Sequence, residues 1–282
     1  MLNQQVLELV NFYFNKGEFK YLLEQTKEKY ELGKKLYIQD NLSLTQISKQ
    51  LKIHRGRFTE YIKAQGINVT NKQNESQIYS DIFEMIDTEE KAYWLGFLYA
   101  DGYVGAETNH IEIALAKKDI EHIKKFAKFI NYDGKILNDD IRTRITFRNK
   151  KMHSDLIKLG CIPNKSLLIT FPTKEQIPKH LLRHFVRGFI DGDGYIGIHA
   201  NGFGRFSLTC GSKQFIEDLI SNMNWIKRKI HKDKRSNALS IEWAGHYVCD
   251  MLDELYENSS VYLDRKYKKY IEIKNAVLSQ IS

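Results

Sequence analysis

The sequence predicts an α+β protein in which one α/β half-domain, ordered helix, strand, strand, helix, strand, strand, helix (αββαββα), occurs twice with pseudo-two-fold symmetry behind a small all-α domain. Three observations carry this. WLGFLYADGYVG at Trp94–Gly105 returns as VRGFIDGDGYIG at Val186–Gly197, 92 residues later. Each copy is followed by matching runs of period two and of helical period. Ahead of both, Tyr30 to Val69 reads as three short helices. A repeat of this length exceeds a solenoid unit and points to a duplicated half-domain.

In chain order, Val6, Leu9, Val10, Tyr13, Phe19, Leu22 and Leu23 stand at helical spacing and define an N-terminal helical extension over 1–27. Residues 28–70 read as a helix-turn-helix domain with helices at Glu31–Gln39, Leu44–Leu51 and Arg55–Ala64. Ser43 caps the second helix, and Lys52-Ile53-His54 separates it from the third. Ile47, Leu51, Ile53, Phe58 and Tyr61 take the core positions, Ser48 is the small residue at the crossing, and Lys52 stands where glycine is common. Arg55, Arg57 and Lys63 then lie on the helix offered to a DNA groove. The polar run TNKQNESQIYS starts a linker assigned to 71–90.

The first half spans 91–172. After its motif come HIEIALA, a helix carrying Ile123, Phe126, Ala127 and Ile130, the runs GKIL and RITFR, and the helix HSDLIKLG. The second half spans 173–282, with RFSLTC, a helix carrying Ile216, Leu219, Ile220 and Met223, the runs WIKRKI and LSIEW, and the helix YVCDMLDELY.

Composition narrows the function. The 282 residues carry 43 Lys+Arg against 35 Asp+Glu, a net charge of +8. Residues 1–90 hold 12 basic and 13 acidic side chains, so the whole excess lies beyond them and suits a polyanionic partner. No apolar run approaches the ~20 residues of a membrane span, and no basic and apolar leader opens the chain, so a cytoplasmic protein with no membrane partner is expected. The 3 cysteines form no CxxC pair, which excludes a disulfide scaffold or zinc ribbon.

Gly96 and Ala100, and Gly188 and Gly192, sit four residues apart on one face of each repeated helix. Glycine inside a helix costs about 1 kcal/mol relative to alanine, and close contact of two backbones is the reason to accept it twice. Both helices end in Asp-Gly, at Asp101 and Asp193, where a carboxylate opposes the helix dipole. Two such helices side by side bring two carboxylates together, a repulsion that a divalent cation relieves. Carboxylate and carbonyl oxygens are hard donors suited to Mg²⁺. Asp191-Gly192-Asp193-Gly194 lacks the rest of an EF-hand, and His180 and His184 lack the glutamate of a zincin. No P-loop, dinucleotide fingerprint or nucleophile elbow is present, so no nucleotide cofactor is expected.

From Ile141 to Arg148 the chain alternates, with Ile141, Thr143, Ile145 and Phe147 on one face and Arg142, Arg144 and Arg148 on the other. Arginines so placed suit phosphate oxygens and guanine edges. Lys227 and Lys229 repeat the spacing in the second half.

WLGFLYADG and VRGFIDGDG resemble the two motifs of the single-chain LAGLIDADG homing endonucleases, over roughly residues 91–282. The resemblance implies a monomer whose motif helices form the pseudo-subunit interface and whose strands form a saddle in the major groove of double-stranded DNA. It implies Mg²⁺ bound by Asp101 and Asp193 with the carbonyls of Ala100 and Gly192, and catalytic lysines near the scissile phosphates at Lys165 and Lys266. The expected reaction is a metal-dependent, staggered double-strand break at a long asymmetric site. Tyr99 departs from the family's acidic residue at the position that Asp191 fills in the second motif. No splice-junction residues bracket the chain, so a free-standing enzyme is expected rather than an intein. The alternatives are a non-cleaving transcriptional regulator on the same fold and an RNA maturase; the retained aspartate pair favours the enzyme.

Overall fold

Apolar spacing at three and four, closed by caps, generates the first three helices, α1 (Glu18–Ile38), α2 (Leu44–Leu51) and α3 (Arg55–Ala64). Ser43 opens α2 with a capping box, its hydroxyl accepting from Gln46 N at 3.3 Å while the Gln46 side chain accepts from Ser43 N at 2.8 Å. Lys52 ends α2 in the left-handed region at φ 52°, the conformation that makes glycine common there. Tyr37, Leu44, Ile47, Phe58 and Ile62 are buried together. Gly33 admits the Phe58 ring, since a Cβ at that position would lie 2.7 Å from it. Helix α1 starts at Glu18, well before the expected Glu31.

The structure, a computed structural model, describes residues 18–40, 42–67, 69, 78–163, 168–199, 202–232 and 238–281. The chain divides into two units between residues 75 and 76. Lys165, most of the expected 1–27 extension and the start of the expected 71–90 linker lie outside the described residues. From Ile78 onward that linker belongs to the second unit, where Ile78, Phe83 and Ile86 are buried in the core.

The second unit repeats one order twice. Its first pass is α4 (Glu89–Asp101), β1 (Gly102–Val104), β2 (His110–Ala116), α5 (Ile120–Phe129), β3 (Leu137–Asn138), β4 (Arg142–Arg148) and α6 (Lys150–Lys158). The second pass is α7 (Leu182–Asp193), β5 (Gly194–Ile198), β6 (Gly204–Cys210), α8 (Lys213–Asn222), β7 (His231–Lys232), β8 (Leu239–Ala244) and α9 (Tyr247–Tyr256). A further helix, α10 (Asp264–Ile281), follows. The two four-stranded antiparallel sheets share one topology, β1-β2-β4-β3 and β5-β6-β8-β7. Each buries one face, through Ile111, Ile113 and Ile145 in the first and Phe206, Leu208, Ile241 and Trp243 in the second.

Helices α4 and α7 meet backbone to backbone in the core. A Cβ on Gly96 would lie 1.9 Å from Phe185 O, and one on Gly188 would lie 1.9 Å from Tyr93 O. Each glycine opposes the residue three before the other, so the contact itself obeys the pseudo-two-fold symmetry.

Two local expectations are corrected. WIKRKI alternates in sequence, yet the strand is confined to His231–Lys232, and Lys227 and Lys229 stand exposed on the segment before it. The Trp243 indole takes the carbonyl of Ile226 at 2.7 Å, removing it from any ladder. Ile141, placed by alternation on the apolar face, precedes β4 and is exposed.

Candidate active site and nucleic-acid interface

Helices α4 and α7 run straight into strands at Asp101-Gly102 and Asp193-Gly194. Neither glycine is left-handed; their φ values are −77° and −86°. They serve close passage instead, since a Cβ would lie 2.6 Å from Leu98 O at Gly102 and 2.7 Å from Ile190 O at Gly194. Asp101 is half-buried and Asp193 exposed. The Asp101 Oδ2 lies 3.3 Å from where a Cβ of Gly192 would be, beside Asp193, and the methyl of Ala100 faces the same point at 2.3 Å. The absence of a side chain at Gly192 thus brings a carboxylate of one helix against the end of the other.

Lys266, in the first turn of α10, is buried at this end. Its ammonium donates to Ile190 O at 2.6 Å, Asp191 O at 2.7 Å, Gly192 O at 3.3 Å and Gly194 O at 2.5 Å. A cation on the last carbonyls of a helix offsets the dipole that the two aspartates oppose. Burial lowers its pKa to about 8, against the pull of Asp191 and, more weakly, of Asp101 and Asp193. Asp101, Ala100, Gly192 and Lys266 therefore come together, with Asp193 next in the chain to Gly192. Their carboxylate and main-chain oxygens are hard donors of the kind that suit a divalent cation. Among the described residues no group of three or more His, Cys, Asp and Glu could hold a metal ion alone.

Behind the helix ends runs a buried polar network that sequence reasoning missed. Asp191 accepts from Tyr93 Oη at 2.7 Å, Tyr256 Oη at 2.6 Å and Leu263 N at 2.7 Å. Burial raises its pKa, opposed by Lys266 and by these three donors. The Tyr93 hydroxyl, committed as donor to Asp191, accepts from His122 Nε2 at 3.0 Å. Arg187, fully buried, donates to Val261 O at 3.0 Å, Leu255 O at 2.8 Å and Glu89 Oε1 at 2.7 Å. Glu89 Oε1 also accepts from Ser260 N at 2.7 Å. The available signal lay in the repeat: Glu89, Arg187 and Asp191 correspond to Leu181, Leu95 and Tyr99, an asymmetry in otherwise matched motifs.

The open sheet faces carry the basic residues. Along β4 exposure alternates, with Arg142, Arg144 and Arg148 exposed and Thr143 and Ile145 buried. Arg142, Arg144 and Arg148 pair across the ladder with Ala116, Ala114 and His110, which leaves room around two of the three guanidinium groups. On the second sheet, Arg205 pairs with Glu242 at 2.6 Å, and beside it, on the segment before β7, Arg228 lies over the Tyr247 ring. These two arginines, with Ser207, His231 and Ser240, line an open depression that sequence reasoning did not single out. In the first unit, Arg55, Arg57 and Lys63 are exposed on α3. No helix among the described residues is long and apolar enough to cross a membrane.

No family model matches the chain. Among curated proteins, the chain is 28% identical over 231 residues to the replication factor C small subunit of Methanocaldococcus jannaschii, covering 78% of this chain and 12% of that protein. It is 29% identical over 217 residues to a probable translation initiation factor IF-2 of the same organism, covering 71% of this chain and 16% of that protein. The chain thus spans less than a fifth of either relative's length. Among solved structures, the meganuclease I-SmaMI bound to uncleaveable DNA shares a TM-score of 0.48 at 13% identity, covering 68% of this chain and 92% of that one. The LAGLIDADG meganuclease I-AabMI bound to uncleaved DNA gives 0.48 at 11% identity, covering 67% and 90%.

Proposed function

We propose that the chain is a DNA endonuclease of the LAGLIDADG type that makes a metal-dependent, staggered double-strand break at a long asymmetric site. The observation that carries this reading is the approach of the Asp101 carboxylate to Gly192, next in the chain to Asp193, at the end of α7 beyond the Gly96–Gly188 contact. Structural helices gain nothing from acidic residues at their C-termini, and the arrangement makes sense as a site for cations between two phosphodiester bonds. Asp101 and Asp193, with the carbonyls of Ala100 and Gly192, would hold Mg²⁺. When bound, Mg²⁺ supplies a Lewis acid for the phosphate oxygens and a lowered pKa for the attacking water.

The chain's own residues do the rest. Arg142, Arg144 and Arg148 grip phosphates and base edges from the first sheet, and Arg205 does so from the second, with Lys227, Arg228 and Lys229 on the segment beside it. Lys266 keeps positive charge at the end of α7, where two carboxylates and a helix dipole would otherwise repel a phosphate. Lys165 takes the equivalent part in the first half. Residues 28–70 act as a helix-turn-helix, with Arg55, Arg57 and Lys63 on the reading helix, and extend the target beyond the saddle.

The test is incubation of the full chain with a DNA library and Mg²⁺, followed by sequencing of the broken ends and measurement of binding in the metal's absence. Asp101→Asn and Asp193→Asn should each abolish double-strand cleavage with affinity retained. A wild-type protein that binds one site tightly and never cuts it replaces the enzyme by a DNA-binding regulator.

A further inference from the structure

We propose that Asp191 is a positioning residue that holds Lys266 at the end of the second motif helix only, so that the two strands of a target are cut by inequivalent sites. The proposal rests on the endonuclease reading for its strand consequence and on geometry alone for the positioning. Asp191 is the acceptor on which three elements converge: Tyr93 from the first motif helix, Tyr256 from the end of α9, and the main-chain N–H of Leu263. Leu263 stands three residues before Lys266, and its carbonyl accepts from Lys266 N at 2.9 Å, so the bond to Asp191 fixes the first turn of α10. From that turn the Lys266 side chain reaches back to the carbonyls of Ile190, Asp191, Gly192 and Gly194. One aspartate therefore accepts from the segment that carries the lysine, while the main chain around it accepts from the lysine itself. The loop is stitched further by Arg187 on Val261 O and Glu89 on Ser260 N.

Among the described residues, the first motif carries no carboxylate at the matching position. Tyr99 occupies the corresponding place, and its hydroxyl donates to Leu159 O. Asp191 gathers three donors on its two oxygens, which the single phenol oxygen of Tyr99, already donating to a carbonyl, cannot match. Leu95 and Leu181 stand where Arg187 and Glu89 act. Among the described residues, a buried carboxylate with three donors thus stands behind the end of α7, and a phenol bonded to Leu159 O stands at the matching place in α4.

The experiment compares wild type, Asp191→Ala and Asp191→Asn. Asparagine can keep its oxygen on Leu263 N while its amide donates to a tyrosine oxygen, so it is the conservative variant. Amine-reactive labelling read by mass spectrometry should find Lys266 protected in wild type and Asp191→Asn and at least about tenfold more reactive in Asp191→Ala, since loss of an orienting partner typically costs 10–100-fold at the group it orients. On an end-labelled duplex, Asp191→Ala should slow one strand by a similar factor, leaving the other strand and the DNA affinity within about threefold, and Asp191→Asn should restore the ratio. Tyr256→Phe removes one donor with little change of shape; it should give a smaller rise in labelling and serves if Asp191→Ala does not fold. Unchanged labelling of Lys266 in the folded variants overturns the proposal, as does equal slowing of both strands with loss of affinity. A protein in which Lys266 is unmasked as expected, but whose wild type cuts no DNA, keeps the positioning role and loses the endonuclease reading.

Discussion

Replacing Gly188 by alanine adds one methyl group at the point where the motif helices touch. That carbon would lie 1.9 Å from Tyr93 O, 2.8 Å from Tyr93 C and 2.9 Å from Phe97 N. Carbon and oxygen atoms in contact normally stay about 3.3 Å apart, so the helices must part by roughly 1.4 Å or bend. The obstacle is main chain inside a helix and cannot rotate aside. Overpacking a core typically costs about 1–3 kcal/mol, the upper end applying here, and alanine returns about 1 kcal/mol of helix propensity. A net loss of about 2 kcal/mol is expected, or roughly 4–8 °C in Tm for a unit of this size. All three tryptophans, Trp94, Trp225 and Trp243, lie in the second unit, so their fluorescence during thermal or urea unfolding reports on it alone. Gly56→Ala is the control, because on the exposed face of α3 a Cβ would meet only the His54 ring, at 3.2 Å. There the same change should stabilise the first unit by up to about 1 kcal/mol. A Gly188→Ala protein as stable as wild type would refute the backbone contact and, with it, the geometry that joins the two aspartates.

Gly192→Ala alone would put two methyl carbons 2.3 Å apart, at Ala100, and Ala100→Gly should rescue it with a coupling of about 1–2 kcal/mol in a double-mutant cycle; additive effects would contradict the contact. Burial holds the His122 pKa down to about 3, while in the unfolded chain it titrates near 6.5. Between those values the unfolded state binds more protons, so stability falls on acidification by up to about 1.4 kcal/mol per pH unit, and His122→Gln should remove that part of the slope between pH 6 and 4. Parallel stability profiles for the two proteins would show that His122 does not titrate this way. Alanine at Arg142, Arg144 or Arg148 should, at one position or more, relax preference at a defined base pair by about 1–3 kcal/mol when affinity is measured against single-base variants at fixed salt. A uniform loss at all three would mean the face grips phosphate only.

The parts of this molecule legible in its sequence are those set by short-range periodicity. The arginines of β4 alternate with Thr143, Ile145 and Phe147 because a strand's side chains do, and no distant residue alters that. Gly96 and Gly188 could be paired because each copy of the motif predicts the other's surroundings. What escaped depends on residues far apart in the chain. Glu89 and Arg187 are 98 residues apart, as are Tyr93 and Asp191, and Asp191 meets Leu263 across 72. The sequence marks Asp191 only by contrast with Tyr99 in the first motif, whereas its environment makes it the junction of the network. Lys227 and Lys229 failed as strand residues for a similar reason: a local alternation was overruled by the Trp243 indole from another strand.

The ion pair of Glu89 with Arg187 gives the two halves a direction of assembly. A pair built from two copies of the second half would set each Arg187 against Leu181, the counterpart of Glu89, and leave two buried guanidinium groups without their hydrogen-bonded carboxylate. Breaking a buried pair in this way costs about 3–5 kcal/mol each time. Two copies of the first half meet no such obstacle, since Leu95 stands in place of Arg187 and Glu89 is open enough to turn toward water. The duplication has therefore become keyed: the glutamate stands on one helix and the arginine that meets it on the other, so the two halves are no longer interchangeable.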